Sequence, residues 1–158
     1  DVPGGAGRMC IFKDSTGAYA GLWQAGTHRG FGIWQEVGSV SWVEMQSRDI
    51  AKAKQFYKQV FGWNEETMSM GPGGPEYTMW KLDGATFAGG MDMQPMVPAN
   101  VPPHWLVYFQ VENVDPSAEQ IKALGGQVLA GPMPIPTGRF VVATDPQGAI
   151  FGITDSIQ

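Results

Sequence analysis

A segment near the start of the chain is repeated near its end. Every match lies at a constant offset of 131 residues: Gly7-Arg8, Asp14, Gly17-Ala18 and Gly21 recur as Gly138-Arg139, Asp145, Gly148-Ala149 and Gly152. A single long offset is typical of a repeated structural unit. In both copies an Asp-x-x-Gly turn separates two extended runs, which predicts a β-hairpin. The chain therefore begins with a copy of the hairpin that closes it.

A strand followed by a helix is predicted after the first hairpin. Residues 41–47 alternate, with Trp42, Glu44 and Gln46 on one face of the strand and Val43 and Met45 on the other. Asp49 is suited to cap a helix, and Gly62 is suited to end it. Residues 22–40 are rich in glycine and are predicted to form a linker. Three further extended runs cover residues 63–70, 77–83 and 85–93.

The same order of elements is predicted a second time after a proline-rich connector. Residues 104–111 form a strand, and Asp115-Pro116 begins a helix with Pro at its first position. Three strands follow, at 127–135, 139–144 and 150–154. Two βαβββ units, 41–93 and 104–156, are therefore expected in tandem. The fold class is α+β, with a curled eight-stranded sheet around a cleft and an extra N-terminal β-hairpin.

The division into domains follows from the repeat. Residues 1–37 are interpreted as the remnant closing hairpin of a preceding repeat plus a linker, and residues 38–158 as the main domain. An unpaired hairpin has edges that can exchange strands, so we expect residues 7–21 to pair with β-structure, at an exposed edge or on a second subunit. A homodimer is the expected assembly.

Composition excludes several classes of partner. The formal charge is −5 and no basic stripe is present, which argues against nucleic acid. No apolar run approaches membrane-spanning length, so no membrane association is expected. Cys10 is the single cysteine, which precludes an intrachain disulfide and favours a reducing, cytoplasmic environment.

Several short motifs, taken together, resemble one superfamily. They are Asp49-Ile50, Phe56-Tyr57, Phe61-Gly62-Trp63, Gly89-Gly90-Met91, Leu124-Gly125-Gly126 and the Asp145 to Gly148 turn. Their order resembles that of the vicinal oxygen chelate superfamily, which includes glyoxalase I, bleomycin-resistance proteins and extradiol dioxygenases. The opening hairpin resembles the end of a preceding domain in two-domain glyoxalase-like proteins, with that leading domain truncated to its last hairpin.

The resemblance implies four positions for the ligands of a divalent metal, on the first and last strands of each unit. In this sequence they fall on Trp42, near Ala88 or Gly90, on Leu106 and on Gly152. None of these side chains can donate a lone pair to a transition metal. We therefore expect no metal and no cofactor at the usual site. A displaced site built from Glu44 and His104 remains an alternative.

The expected inner face of the cleft carries aromatic, thioether and polar side chains. Such a mixture suits a mostly apolar planar or cationic ligand. Glu44 is a candidate base, because desolvation beside Trp42 would favour its protonated form. A structural use is also possible, in which Arg139 pairs with Glu44. The candidate ligand-binding residues are Trp42, Gln46, Met79, Met91, His104, Tyr108 and Gln110.

Three functions are consistent with these features. The favoured one is a metal-independent small-molecule-binding protein of the glyoxalase and bleomycin-resistance type. The second is an enzyme, a glyoxalase-like lyase or a dioxygenase-like oxidoreductase, which uses the displaced site at Glu44 and His104. The third is an assembly module in which the N-terminal hairpin mediates subunit exchange.

Overall fold

A computed structural model describes residues 1–71 and 73–156 of the protein. The described residues form an α+β fold with the predicted order of elements, a hairpin followed by two βαβββ units. The elements are β1 (Gly7–Lys13), β2 (Tyr19–Ala25), β3 (Val40–Ser47), α1 (Ile50–Phe61), β4 (Asn64–Ser69), β5 (Glu76–Leu82), β6 (Ala85–Asp92), β7 (His104–Gln110), α2 (Val114–Ala123), β8 (Gln127–Ile135), β9 (Gly138–Thr144) and β10 (Ile150–Thr154). No helix in the described ranges is long and apolar enough to cross a membrane.

The chain divides into two compact units, and β3 contributes residues to both. Unit 1 contains residues 1–32 and 44–105, and unit 2 contains residues 33–43 and those from Leu106 onwards. The strand order in unit 1 is β4-β5-β6-β3, and in unit 2 it is β3-β7-β10-β9-β8. The pairs β3–β6 and β7–β10 are parallel, whereas β5–β6 and β9–β10 are antiparallel. These are the eight strands of the predicted mixed sheet.

Helix α1 begins and ends where the sequence predicts, and its apolar stripe forms the core of unit 1. The Asp49 side chain accepts a hydrogen bond from the Lys52 amide at 2.9 Å, and Gly62 closes the helix in the left-handed conformation. Tyr57 is almost fully buried, and its ring stacks on Trp63 at 4.8 Å between centroids. Trp80 is fully buried against the same tyrosine, so the core of this unit is mainly aromatic.

Helix α2 covers the core of unit 2 but begins two residues earlier than predicted. Asn113, rather than Asp115, is the N-cap, and its side chain accepts a hydrogen bond from the Asp115 amide at 2.9 Å. Pro116 therefore lies within the first turn, where a missing N–H costs no helical hydrogen bond. The buried core combines α2 with the closing hairpin, through Val114, Ala118, Val141, Ala143 and Ile153.

The two hairpins have the same register. Five of the seven cross-strand pairs of β1–β2 correspond, at the offset of 131, to the five pairs of β9–β10; for example, Cys10↔Leu22 corresponds to Val141↔Ile153. The predicted start of the linker at residue 22 is wrong, because β2 continues beyond Gly21 to Ala25. The extension arises because the residues after Gly21 pair with the first half of β1.

The turn end of the N-terminal hairpin is fixed on α1, within unit 1. The Phe12 ring lies 6.0 Å from the Phe56 ring, and the Ser15 hydroxyl donates to the Lys52 carbonyl at 3.2 Å. Asp14 and Ala18 are buried there. The hairpin therefore packs on a helix, and β1 and β2 form a two-stranded sheet of their own rather than joining the strands of unit 1 in the described ranges.

Candidate functional site

Glu44 is a buried carboxylate in unit 1, and both of its oxygens accept hydrogen bonds. Its residue is 7% exposed. The Tyr77 hydroxyl donates to Oε2 at 2.8 Å, and the Gln46 amide donates to Oε1 at 2.5 Å. Both donors come from side chains on the sheet, so the carboxylate is held in a fixed orientation. Charge-assisted hydrogen bonds of this kind are among the strongest in proteins.

The opposite face of the sheet in unit 1 is occupied by the aromatic core. Met45 follows Glu44 on β3, so it points the other way, and it is fully buried. Met45 is paired with Gly90, where an added Cβ would lie 2.5 Å from the Trp80 ring. The expectation that Ala88 or Gly90 occupies the metal-ligand corner is therefore wrong, because the residue in register with Glu44 is Gly89.

Two methionines extend the Glu44 face across β5 and β6. Gly89 lies between Glu44 on β3 and Met79 on β5, and Met91 is in register with Gln46. Gly89 is buried and places no side chain between the carboxylate and Met79. Both methionines are half-buried. The structure thus brings together four of the candidate residues in unit 1.

Tyr77 is a member of this group that the sequence reasoning did not single out. It lies two residues from Met79 on β5, and alternation places the two on the same face. This alternation of side chains along β5 was the sequence signal that could have identified Tyr77. A phenol that holds a carboxylate also presents its ring beside the thioethers, which suits contact with a flat apolar group.

His104, at the start of β7, is half-buried and has a backbone partner. Its Nδ1 lies 2.8 Å from the Pro102 carbonyl oxygen, and a carbonyl only accepts, so Nδ1 is the donor; in the neutral imidazole the lone pair is then on Nε2. Within residues 1–71 and 73–156, no group of three or more His, Cys, Asp or Glu side chains is arranged to hold a metal ion. The residues at the usual corners, Trp42, Gly89, Leu106 and Gly152, do not fit a metal either.

In unit 2, the last of these corners is filled by an aromatic ring. A Cβ added to Gly152 would lie 2.1 Å from the Tyr108 ring, which is itself 6% exposed. Gln110 accepts a hydrogen bond from the Ser41 hydroxyl at 2.8 Å. Since Ser41 is fully buried, this use of the Gln110 amide is structural. Trp42 is half-buried on β3.

The alternative in which Arg139 pairs with Glu44 is wrong. Arg139 belongs to unit 2, and its guanidinium bonds Asp115 at 2.7 Å and Asp155 at 3.1 Å. Burial acts to raise the pKa of Asp155, but hydrogen bonds from the Arg139 and Val114 amides and from the Arg139 guanidinium outweigh it, so that pKa lies below its usual value. This cluster joins α2 to the closing hairpin.

The chain is similar in sequence to proteins of two bacterial genera. It is 42% identical over 151 residues to the Mycobacterium bovis protein named "Putative glyoxylase CFP32", covering 95% of this chain and 56% of that protein. It is 32% identical over 151 residues to "Anthracycline biosynthesis protein DnrV" of Streptomyces peucetius, covering 96% of this chain and 54% of that protein. The chain spans about half the length of the curated relatives it matches.

Solved structures match the fold at low sequence identity. A Streptomyces coelicolor methylmalonyl-CoA epimerase aligns with a TM-score of 0.57 and 17% identity, over 78% of this chain and all of that one. The Mycobacterium tuberculosis methylmalonyl-CoA epimerase aligns with a TM-score of 0.56 and 11% identity, over 82% and 95%. Residues 39–153 match one family model, and the chain belongs to the family that the model describes, the Glyoxalase/Bleomycin resistance protein/Dioxygenase superfamily.

Proposed function

We propose that this protein binds a planar, cationic organic molecule at the Glu44 face of unit 1, without a metal. The observation that carries the proposal is the buried carboxylate of Glu44, oriented by Tyr77 and Gln46 beside a glycine. Burial of a carboxylate is unfavourable unless it is compensated. A cationic group of a ligand would supply a further, charge-assisted partner.

The apolar part of the ligand would contact the thioethers. Met79 and Met91 flank the carboxylate and are half-buried, so their side chains retain accessible surface. Thioethers adapt to irregular flat surfaces, and the Tyr77 ring supplies a rigid one. The sequence-based assignment of Trp42, His104, Tyr108 and Gln110 as ligand contacts stays a prediction, and Glu44 remains the candidate base if a reaction occurs.

One class of compound has both a planar apolar part and a cationic group, and the name of a relative suggests it. The Streptomyces peucetius relative is named for anthracycline biosynthesis. Anthracyclines combine a planar polycycle with an amino sugar that is cationic at neutral pH. Daunorubicin is therefore a rational first probe, and its own fluorescence reports binding directly.

The test is a fluorescence titration of daunorubicin with protein that has been treated with EDTA. Glu44→Gln should weaken binding by roughly 10-fold to 100-fold, the range expected for one charge-assisted hydrogen bond. Glu119→Gln is the matched control, since Glu119 is exposed on α2, in unit 2, and pairs with Lys122. Absence of binding by daunorubicin and by a panel of other planar amines at 1 mM would contradict the proposal, as would binding that requires a restored metal.

An enzyme with a displaced metal site is a second candidate. The favouring observation is the free Nε2 lone pair of His104, which results from the Nδ1 hydrogen bond to Pro102. Metal-bound histidines commonly use the other ring nitrogen in this way. The name of the mycobacterial relative points to the glyoxalase reaction.

Metal analysis of protein purified without chelator separates the two candidates. The metal-independent proposal expects no stoichiometric transition metal in the parent chain or in His104→Ala. A stoichiometric metal that is lost in His104→Ala, together with turnover of the methylglyoxal–glutathione hemithioacetal, would favour the enzyme instead.

A further inference from the structure

We infer that the Glu44 face of unit 1 is a site of reversible methionine oxidation: its thioethers take an oxygen atom from a hydroperoxide, and the sulfoxides formed there weaken ligand binding. The inference rests on the proposed function, since it names a regulation of the same surface. Nine methionines are present in the chain, and four of them lie between residues 64 and 92. These four side chains form what we call the methionine face, and they are Met68, Met70, Met79 and Met91.

Three of the four side chains are neighbours across two antiparallel strand pairs. Glu66 on β4 and Gly89 on β6 are both in register with Met79 on β5, so all three share one face of the strands. Met68 and Met91 each lie two residues from these partners on their own strands. Both are therefore diagonal neighbours of Met79, at a separation that long side chains can span.

Met70 continues the same face at the end of β4. Its amide donates to the Pro75 carbonyl at 3.0 Å, which extends the β4–β5 ladder, and it lies two residues from Met68. The opposite face of these strands contacts α1 through Thr67 and Trp80. That opposite face carries no methionine in the described part of β4, β5 and β6.

The apolar surface of the methionine face comes from thioethers rather than from branched aliphatic side chains. Strands β4 and β6 contain no leucine, isoleucine or valine, and Leu82 on β5 alternates with Trp80 onto the opposite face. Leucine would supply a similar apolar area. A thioether differs from it in being adaptable and in being oxidisable.

Oxygen transfer requires that a small oxidant reach the sulfur atoms. Met68 and Met70 are 44% and 45% exposed, and Met79 and Met91 are half-buried. A sulfur lone pair attacks one oxygen of hydrogen peroxide, the O–O bond breaks and an S–O bond forms. Sulfur loses two electrons to the peroxide, and the displaced hydroxide takes up the proton of the transferred oxygen and leaves as water. The product is methionine sulfoxide, which is polar and chiral.

The sulfoxides would change the surface on which the apolar part of the ligand rests. A sulfoxide oxygen is hydrogen-bonded to water, and an apolar ring placed on it would remove those hydrogen bonds without replacing them. Met79 is separated from Glu44 only by Gly89 in the row of paired residues, so the change occurs beside the carboxylate. We expect oxidation of the methionine face to weaken binding by about 10-fold.

The test compares daunorubicin binding by the protein before and after treatment with hydrogen peroxide. The protein carries Cys10→Ser, since the exposed thiol would also react. Peroxide is removed before the titration, and peptide mass spectrometry reports which methionines have gained oxygen. The loss of affinity should follow sulfoxide on the methionine face and should be reversed by methionine sulfoxide reductases of both epimer specificities.

Two outcomes separate this inference from the proposed function. If the untreated protein binds daunorubicin, or another planar amine of the panel, and binds it equally well after the methionine face is oxidised, the inference is overturned and the proposed function stands. If the untreated protein binds none of these compounds, both are overturned.

Met96 and Met133 provide matched controls outside the methionine face. Met96 is 86% exposed in the connector after β6, and Met133 is 38% exposed on β8, in unit 2. The double variant Met96→Leu/Met133→Leu should remain as sensitive to peroxide as the parent chain. The double variant Met79→Leu/Met91→Leu should be much less sensitive, each affinity being compared with that of the same variant before treatment. Equal sensitivity of the two double variants would overturn the inference.

A polar replacement covers the cases in which peroxide unfolds the protein or Met79→Leu/Met91→Leu does not bind. Met79→Gln places a polar side chain of similar length on the methionine face, and Met96→Gln does so in the connector. Near-UV circular dichroism verifies that both variants are folded. Met79→Gln should bind about 10-fold more weakly than Met96→Gln, and equal affinities would overturn the inference.

Discussion

The Tyr57 hydroxyl donates a hydrogen bond to Asp14 at 2.9 Å, and both residues are buried. Tyr57 is a core residue of α1, whereas Asp14 begins the turn of the N-terminal hairpin. The same hydroxyl accepts a hydrogen bond from the Trp105 indole at 2.9 Å. Three separate segments of unit 1 therefore meet at one oxygen atom, and the hairpin is attached to the aromatic core through it.

Removal of that oxygen should destabilise unit 1. Tyr57→Phe leaves the ring in place but removes the partner of Asp14 and of the Trp105 indole. We expect a loss of about 1–3 kcal/mol in the free energy of unfolding, measured in urea. Tyr19→Phe is the control, since Tyr19 is 63% exposed, and it should change stability by less than about 0.5 kcal/mol. Equal effects of the two substitutions would contradict this role.

Tyr57 should also make the fold sensitive to alkali. Burial raises its pKa far above the ordinary value, with further contributions from the Trp105 hydrogen bond, which lowers it, and from Asp14, which raises it. The folded-state pKa thus exceeds the unfolded-state value of about 10. The stabilisation is complete below pH 10 and is lost as the pH rises through the folded-state pKa. Urea midpoints should be level from pH 8 to about pH 10 and should fall above that, more steeply for the parent chain than for Tyr57→Phe.

Acid should act on unit 2 through Asp155. Its pKa is lowered in the folded state, so its contribution is present above the unfolded-state value of about 4 and is lost as the pH falls through the folded-state pKa. Asp155→Asn should lower the free energy of unfolding by about 1–3 kcal/mol at pH 7, because the Asp155 side chain is 12% exposed and accepts hydrogen bonds from Arg139. The same substitution should reduce the loss of stability that the parent chain shows as the pH falls. Glu119 forms an exposed pair with Lys122, so Glu119→Gln should change neither the stability at pH 7 nor its loss in acid. If Asp155→Asn loses stability in acid as steeply as the parent chain does, groups other than Asp155 control the acid sensitivity.

Local signals in the sequence were sufficient for most of the fold. The Asp49 cap and the Gly62 stop define α1, and the bounds of β8 and β10 agree with the sequence-based ranges. Cap residues and glycines with positive φ act within a few residues of themselves, so a single chain displays them. At α2, two local signals competed: Pro116 suited the first helical position, but the Asn113 side chain caps the helix, so α2 begins two residues earlier, at Val114.

What the sequence could not supply was pairing between distant residues. The length of β2 depends on β1 as its partner, and the choice of Gly89 rather than Gly90 beside Glu44 depends on the β3–β6 register. A register shift between Trp80 and Lys81 on β5 further disturbs simple alternation. The partners of Arg139 were missed for the same reason, since Asp155 reaches it only after the closing hairpin has formed.

The two equivalent glycines provide a last, direct test of how the corner of unit 2 is filled. Gly152→Ala places a methyl group 2.1 Å from the Tyr108 ring, so we expect a loss of about 1–3 kcal/mol in the free energy of unfolding. Gly21→Ala meets only an ordinary contact and should change stability by less than about 0.5 kcal/mol. Tyr108→Ala should remove most of the additional cost of Gly152→Ala, which a double-mutant cycle in urea measures directly. If the cycle shows no coupling, the ring does not occupy that corner, and the space would be open to a larger side chain at position 152.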